Sequence, residues 1–322
     1  MKFLLSRLGW AIFVVWSVVT ITFFVEAVLP SDPARMVAGA QARPVDVDRI
    51  RQQLGLDAPI ATRYAIYMRR LVHLAPADAH ASAKDHVGCV TFGPVHVDLG
   101  RSYDQRRPVA TILGERLPRT VALAIAAMFV QLTIGIFSGV IAALRKGTTL
   151  DTGVVAMSLL GVSAPTFILG IFLQFLFGHK LRWLPLDGFG STTPEHLKSI
   201  VLPALTLGIF GASYYTRLVR DEMIVLMRTD YVRTARAKGA SPLRAVLLHA
   251  LRNALVPLAT VVAMDLGALV GGAIVTETLF RWPGLGALSV TALVNRDGPV
   301  VMGTVIVTSC AIVLANLVAD GA

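Results

Sequence analysis

The sequence predicts an all-helical, polytopic membrane protein with about six transmembrane helices. Three observations carry this expectation. Of 322 residues, 55% are apolar and only 16% charged. Mean hydropathy is +0.66, far above an ordinary globular domain. Several apolar runs reach the roughly 20 residues that a helix needs to cross a bilayer. The length alone would admit two soluble domains, and the hydropathy removes that reading.

The first run, Leu8 to Leu29, follows Lys2 and Arg7, and Val25-Glu26-Ala27 resembles a signal-peptide cleavage site. The run is longer than the roughly 7 to 15 residues of a signal core, so an uncleaved first helix starting in the cytoplasm is expected. Five more spans follow: Thr120 to Leu144, Val154 to Phe177, Ile200 to Leu218, Val256 to Phe280, and Val300 to Val318. An even count puts both termini on one side, and Lys2 with Arg7 makes that side cytoplasmic.

Loop charge agrees with this orientation. Arg145 and Lys146 follow span two. From Arg217 to Arg252 the loop after span four carries eight cations against Asp221, Glu222 and Asp230. The loops after spans three and five have no such excess. The net charge of +10 therefore needs no nucleic-acid partner, since inner loops of membrane proteins collect Lys and Arg. Cys89 and Cys310 are the two cysteines. Cys310 lies in an apolar run, so no disulfide framework is expected.

The expected organisation is residues 1–29 as amino terminus and first helix, 30–118 as an extracytoplasmic region, and 119–322 as a core of five helices with an inner loop at 217–256. Within the outer region, residues 46–54 before Gly55 predict a short helix with an acidic start and a glycine stop. Residues 75–97 show little periodicity and read as irregular. That region also gathers His73, His80, His86, Cys89 and His96. Only His86 and Cys89 have zinc-like spacing, so a solvated loop is favoured over a metal site.

No phosphate loop, zinc-protease motif or serine-hydrolase elbow occurs, which weighs against an enzyme and against intrinsic ATP hydrolysis. No cofactor is expected in this chain. The inner loop is more informative. Residues 230–238 favour a helix ending at Gly239, Ser241 suits an N-cap, and Pro242 suits the first position of the next helix. Leu243, Val246, Leu247, Ala250, Leu251, Ala254 and Leu255 then recur at helical spacing, with Arg244, His249 and Arg252 off that stripe. A helix, tight turn and amphipathic helix make a knob that another protein can grip, while a plain interfacial helix fits as well.

Asp230-Tyr-Val-Arg-Thr-Ala-Arg-Ala-Lys-Gly-Ala-Ser-Pro242 and His249-Ala-Leu-Arg-Asn-Ala-Leu-Val-Pro257 resemble the coupling loop of ABC importer permeases of the dipeptide and oligopeptide branch. The wider superfamily opens this loop with Glu-Ala-Ala. Here Arg233, Thr234 and Ala235 take those places, with Gly239 four residues on, and the peptide branch likewise lacks the glutamate. Leu29-Pro-Ser-Asp-Pro33, residues 54–59, Asp98-Leu-Gly-Arg-Ser102, Arg116-Leu-Pro-Arg-Thr120 and Glu277-Thr-Leu-Phe-Arg-Trp-Pro-Gly-Leu-Gly286 extend the resemblance over nearly the whole chain. Residues 68–97 are longer than the family pattern, and the family's basic tail after span six is not present in the sequence.

The resemblance implies a type I ABC importer permease fold in a prokaryotic inner membrane. It implies a second, homologous permease subunit, two ATPase subunits or domains that hold ATP and Mg, an external substrate-binding protein, and surrounding membrane lipid. Residues 233–242 would meet the ATPase: Gly239 turns the chain, Arg236 and Lys238 meet acidic groups, and Ala235, Ala237 and Ala240 permit close approach. Dipeptides, longer peptides, glutathione-like compounds and nickel chelates are carried by systems with similar permeases. A self-sufficient secondary transporter or channel, and a membrane-embedded enzyme, are the rival classes.

Polar residues in the spans are candidate pathway groups: Gln131, Gln174, Asp265, Glu277 and Asn316. Asp265, the deepest acid, suits a peptide ammonium, yet a carboxyl paired to backbone or to a neighbouring subunit is favoured. Glu277 is expected near the outer surface, hydrated or anchoring the turn after it. Gly135 with Gly139, and Gly267 with Gly271, make small-residue faces for close helix packing.

Overall fold

The structure, a computed structural model, describes residues 2–28, 32–39, 41–74 and 89–321. In chain order the helices are α1 (Lys2–Val28), α2 (Pro33–Ala38), α3 (Pro44–Gln53) and α4 (Ile60–Leu71). Strands β1 (Val72–Leu74), β2 (Val90–Phe92) and β3 (Val95–Val97) follow. Then come α5 (Val109–Leu144), α6 (Thr149–Ser163), α7 (Thr166–Leu173), α8 (Thr193–Ser199), α9 (Val201–Leu226) and α10 (Asp230–Ala237). The last are α11 (Pro242–Arg244), α12 (Arg252–Gly272), α13 (Ile274–Leu279), α14 (Leu285–Val294) and α15 (Gly298–Gly321). Wide π-helical turns at Gln174–Lys180 and Ala245–Leu251 continue α7 and join α11 to α12.

Five of these helical stretches are long and apolar enough to cross a membrane, and six if α6 and α7 count as one broken span. The predicted single span Val154 to Phe177 is that broken one: α6 and α7 meet at 101°. The cause is Pro165, which has no N–H to donate and forces Ala164 into extended backbone at φ −82°, ψ 129°. Spans two, four and five are longer than predicted. The first of these starts at Val109, α9 runs on to Leu226, and α12 is continuous with helix back to Pro242. Arg220, Asp221 and Glu222 thus lie on a helix rather than in a loop. The predicted outer loop after span five holds the ten-residue apolar helix α14, too short to register as a span.

The chain forms two compact units, residues 1–118 with 287–313 and residues 119–286 with 314–322. In the first, α1 leaves most of its apolar surface uncovered, as a lipid-facing helix does. Val19, Leu71 and Met302 form the buried centre, with Phe23, Tyr67 and Val97 packed on it. Thr20 and Tyr64 share a 2.8 Å hydrogen bond, and the rings of Phe23 and Phe24 stack on Tyr67 and Tyr64, fixing α4 along α1. Helix α3 begins two residues before its predicted start and ends in the expected Gly55 turn.

The stretch expected to be irregular holds part of an antiparallel sheet of order β1-β3-β2, while residues 75–88 lie outside the described residues. The β-branched pairs flanking Gly93-Pro94 were a hairpin signal too short to stand out. Of the proposed histidine and cysteine group, His80 and His86 lie outside the described residues. His73 and His96 pair across β1 and β3. No group of three or more metal-ligating side chains occurs among the described residues.

The second unit is organised on α9, against which α6, α7, α8 and α12 pack. Its main core joins Met128 of α5, Tyr215, Val219 and Met223 of α9, Val232 of α10, and Ala245, Val246, Ala250, Ala254 and Leu258. Gly135 and Gly139 face α9, where an added Cβ would strike Tyr215, Thr216 and Val219. That glycine face serves packing within the chain.

Candidate functional site

The basic loop after α9 is a defined structure. Val232, fully buried, anchors α10 to the core, while Arg233, Thr234, Arg236, Ala237 and Lys238 are exposed and Ala235 is half-buried. The helix ends in paired reverse-turn bonds, Ala240 N–H to Ala235 O at 3.1 Å and Gly239 N–H to Arg236 O at 3.0 Å. This is a Schellman cap, and it requires the left-handed conformation that Gly239 adopts at φ +88°. Ser241 then caps the next helix, accepting from Arg244 N–H at 3.3 Å, with Pro242 as its first residue.

Beyond Pro242 the predicted apolar stripe is only partly buried. Ala245, Val246, Ala250 and Ala254 face the core, while Leu243, Leu247, Leu248 and Leu255 are exposed. The π-helical turn at Ala245–Leu251 is wider than an α-helical turn, so a stripe counted at 3.6 residues per turn slips off the true inner face. The result is an exposed tip, with Arg233, Arg236, Lys238 and Arg244 beside uncovered leucines, on a buried alanine and valine base.

A clamp lies at the base of α9 that sequence reading missed. Arg220 binds Asp151 through two hydrogen bonds, Nε to Oδ1 at 2.6 Å and Nη2 to Oδ2 at 2.9 Å. Asp151 also accepts from Gly147 N–H at 2.9 Å, and Thr148 caps the same helix start. The Asp151 side chain is 6% exposed and that of Arg220 20%. The local signal was Thr148 followed three residues on by an acid, an N-terminal capping pattern. Its distant partner has no sequence signature.

Asp265 and Gln131 come together. Gln131 Nε2 donates to Asp265 Oδ2 at 2.6 Å, and Tyr215 Oη donates to the same oxygen at 3.1 Å. Gln131 and Tyr215 are fully buried, and the Gln131 amide lies on α9 where a Cβ on Gly211 would sit. The carboxylate is thus paired with two side chains of its own chain. The other candidates lie elsewhere. Gln174 donates to Leu186 O at 2.9 Å and Leu279 O at 3.4 Å, tying a loop to the end of α13. Asn316 is exposed on α15.

Glu277 is completely buried rather than hydrated. Thr120 Oγ1 donates to it at 2.8 Å and accepts from Leu285 N–H at 2.7 Å. Its carboxylate occupies the space a Cβ at Gly284 would take and lies against Gly286. Trp282 donates its indole N–H to Arg119 O at 3.0 Å. Arg119 and Thr120 therefore pack with the segment 277–286, distant in sequence, as one turn, and its two glycines make room for the carboxylate.

Two family descriptions match the chain. "Binding-protein-dependent transport system inner membrane component" covers residues 135–322, and the corresponding N-terminal membrane component covers 1–124. A putative peptide transport system permease protein of Brucella abortus is 38% identical over 320 residues, 98% of this chain and 95% of the other. The di/tripeptide transport system permease protein DppB of Pseudomonas aeruginosa is 34% identical over 347 residues, 99% of this chain and 96% of the other. The glutathione transport system permease protein of Shigella flexneri is 35% identical over 320 residues, 99% and 95%. Among solved structures, inward-facing MetNI methionine ABC transporter matches at TM-score 0.54 and 20% identity, covering 66% of this chain and 94% of that one.

Proposed function

We infer that this chain, which belongs to the binding-protein-dependent transport system inner membrane component family, is a permease subunit of an ABC importer that carries short peptides. Full-length likeness to peptide permeases is the observation that carries the substrate class. The glutathione permease relative favours a second reading within the same chemistry, since glutathione is a modified tripeptide.

The working assembly would contain this chain, a second permease subunit, two ATPases that bind ATP and Mg, and an external binding protein, in a prokaryotic inner membrane with both termini of this chain cytoplasmic. The excess of positive charge around α10 supports that orientation. No part of the chain carries a phosphate-loop motif, so the driving nucleotide site belongs to the ATPases. The Schellman-capped tip at Arg233–Pro242 would seat in an ATPase groove, its basic side chains against acidic groups. Val232 and the Ala245–Ala254 base would pass that motion to α9 and α12, and so to Asp265. Alternating access is the expected cycle.

The test is reconstitution in liposomes. ATP-dependent uptake of a dipeptide should require the ATPases and the binding protein. Uptake by this chain alone, without ATP, would overturn the assignment and favour a secondary transporter.

A further inference from the structure

The first unit has an open cavity of about 1320 Å³, lined by the end of α1, the α2–α3 region, α4, residues 98–106 and residues 293–302. This exceeds the roughly 300–1,000 Å³ typical of small-ligand pockets and has room for a peptide of several residues. Charge is separated within it. Glu26 projects from the last turn of the apolar α1 and has no hydrogen-bond or ion-pair partner among the described residues. An acid at that position is costly unless something pairs with it.

Its acidic neighbour, Asp297, does not have the same need. Asp297 accepts from Ser102 Oγ and from the N–H groups of Tyr103, at 3.0 Å, and Asp104, at 3.4 Å. Glu26 is thus an unsatisfied carboxyl beside a satisfied one.

Six arginines line the cavity; Arg101 and Arg106 donate to backbone carbonyls, and Arg63 and Arg70 stand together on α4. Arg63 and Arg70 are seven residues apart with Tyr67 between them, so all three share one helix face, and all three line the cavity. Neither arginine has a salt-bridge partner among the described residues. Arg51, by contrast, is taken by Asp32 at 2.7 Å and Asp48 at 3.1 Å. Tyr103 stands within electrostatic reach of both kinds of group. Burial pushes its hydroxyl up, Glu26 and Asp297 add to that, and Arg63 opposes it. The Tyr67 hydroxyl is raised by burial and then by Glu26 and Asp98.

We propose that this cavity is a staging site for a short zwitterionic peptide, whose ammonium group meets Glu26 and whose carboxylate meets Arg63 and Arg70. The assignment of a peptide rests on the import reading above. The separation of an unpaired acid from two unpaired guanidiniums is independent of that reading. A single anion would leave Glu26 unmatched, and a single cation would leave the arginines unmatched.

The test uses the assembled importer with Cys89 and Cys310 replaced by serine and a reporter cysteine, Val37→Cys, on the cavity wall. Labelling by a membrane-impermeant maleimide is followed with Ala-Ala, N-acetyl-Ala-Ala or Ala-Ala-amide present, in the absence of the binding protein. Ala-Ala should slow labelling, and each blocked peptide should need about tenfold more to do so, the worth of one charge-assisted contact. Glu26→Gln should erase the advantage of Ala-Ala over the acetylated form. Arg63→Gln with Arg70→Gln should erase its advantage over the amide. The blocked peptides make the same comparison in a chain without those substitutions, so a variant that does not insert leaves the test intact. Equal slowing by all three compounds overturns the proposal. So does no slowing, and if the importer still takes up Ala-Ala, peptide import itself stands. No slowing together with no uptake overturns both readings.

Discussion

The Thr120 hydroxyl donates to the buried Glu277 carboxylate at 2.8 Å and accepts the Leu285 N–H at 2.7 Å, so one side chain closes the turn between α13 and α14 onto α5. Thr120→Val keeps the shape and removes both bonds. It should lower stability by about 1–3 kcal/mol, the cost of losing two buried hydrogen bonds at once. Thermal unfolding in detergent measures this, and Thr120→Ser should restore most of the loss. Gly284→Ala should be at least as damaging, because its methyl group meets the Glu277 carboxylate.

Asp151→Asn removes the charge that Arg220 binds through two hydrogen bonds. The expected loss is on the order of 2 kcal/mol, reduced from the fully buried case by the exposure of Arg220. Removing both partners, as Asp151→Asn with Arg220→Gln, should cost less than the sum of the single changes. A double-mutant cycle on unfolding midpoints reads that coupling, and strict additivity would show the pair to be idle.

Gly239→Val places a β-branched residue at φ +88°, with no atom within 4 Å of the new Cβ. Backbone strain of about 1–2 kcal/mol is therefore the whole effect, and it falls on the loop rather than the core. The variant should insert in the membrane at normal levels and lose ATP-dependent uptake. Normal uptake by an inserted Gly239→Val chain would remove the docking role of the tip.

Asp265 shares one oxygen with Gln131 and Tyr215. Tyr215→Phe should weaken the join between α9 and α12 by about 1 kcal/mol. Its effect on uptake should be the same for every peptide. Asp265→Asn, in contrast, should change the relative uptake of peptides with free and blocked amino groups if substrate reaches it. A uniform decline across such a panel would assign Asp265 to packing alone.

Much of the architecture was legible because lipid demands long apolar helices with satisfied backbone, and that demand leaves a plain trace in the chain. The Gly239 stop and the Ser241-Pro242 start were equally legible, since capping is chemistry between near neighbours. Three kinds of feature were not. The 101° break at Pro165 was signalled by Ser163-Ala-Pro165 but overridden by continuous hydropathy, because prolines also occur inside unbroken membrane helices such as α5. The π-helical turn at Ala245–Leu251 displaced a face counted on α-helical geometry. The partners of Asp151, Glu277 and Asp265 lie 50 to 157 residues away in sequence, and no local pattern announces such a meeting.

The glycines between α5 and α9 limit how the chain can move. A Cβ on Gly135 or Gly139 would strike α9, and a Cβ on Gly208 or Gly211 would strike Val130 or Gln131 of α5. The two helices thus touch backbone to side-chain root, with no compressible layer of side chains to act as a bearing. Sliding one past the other by a turn would drive Tyr215 or Val130 off its notch and onto a ridge. The α5–α9 pair therefore travels as a single strut, and any shear in a transport cycle must be taken up by the helices around it.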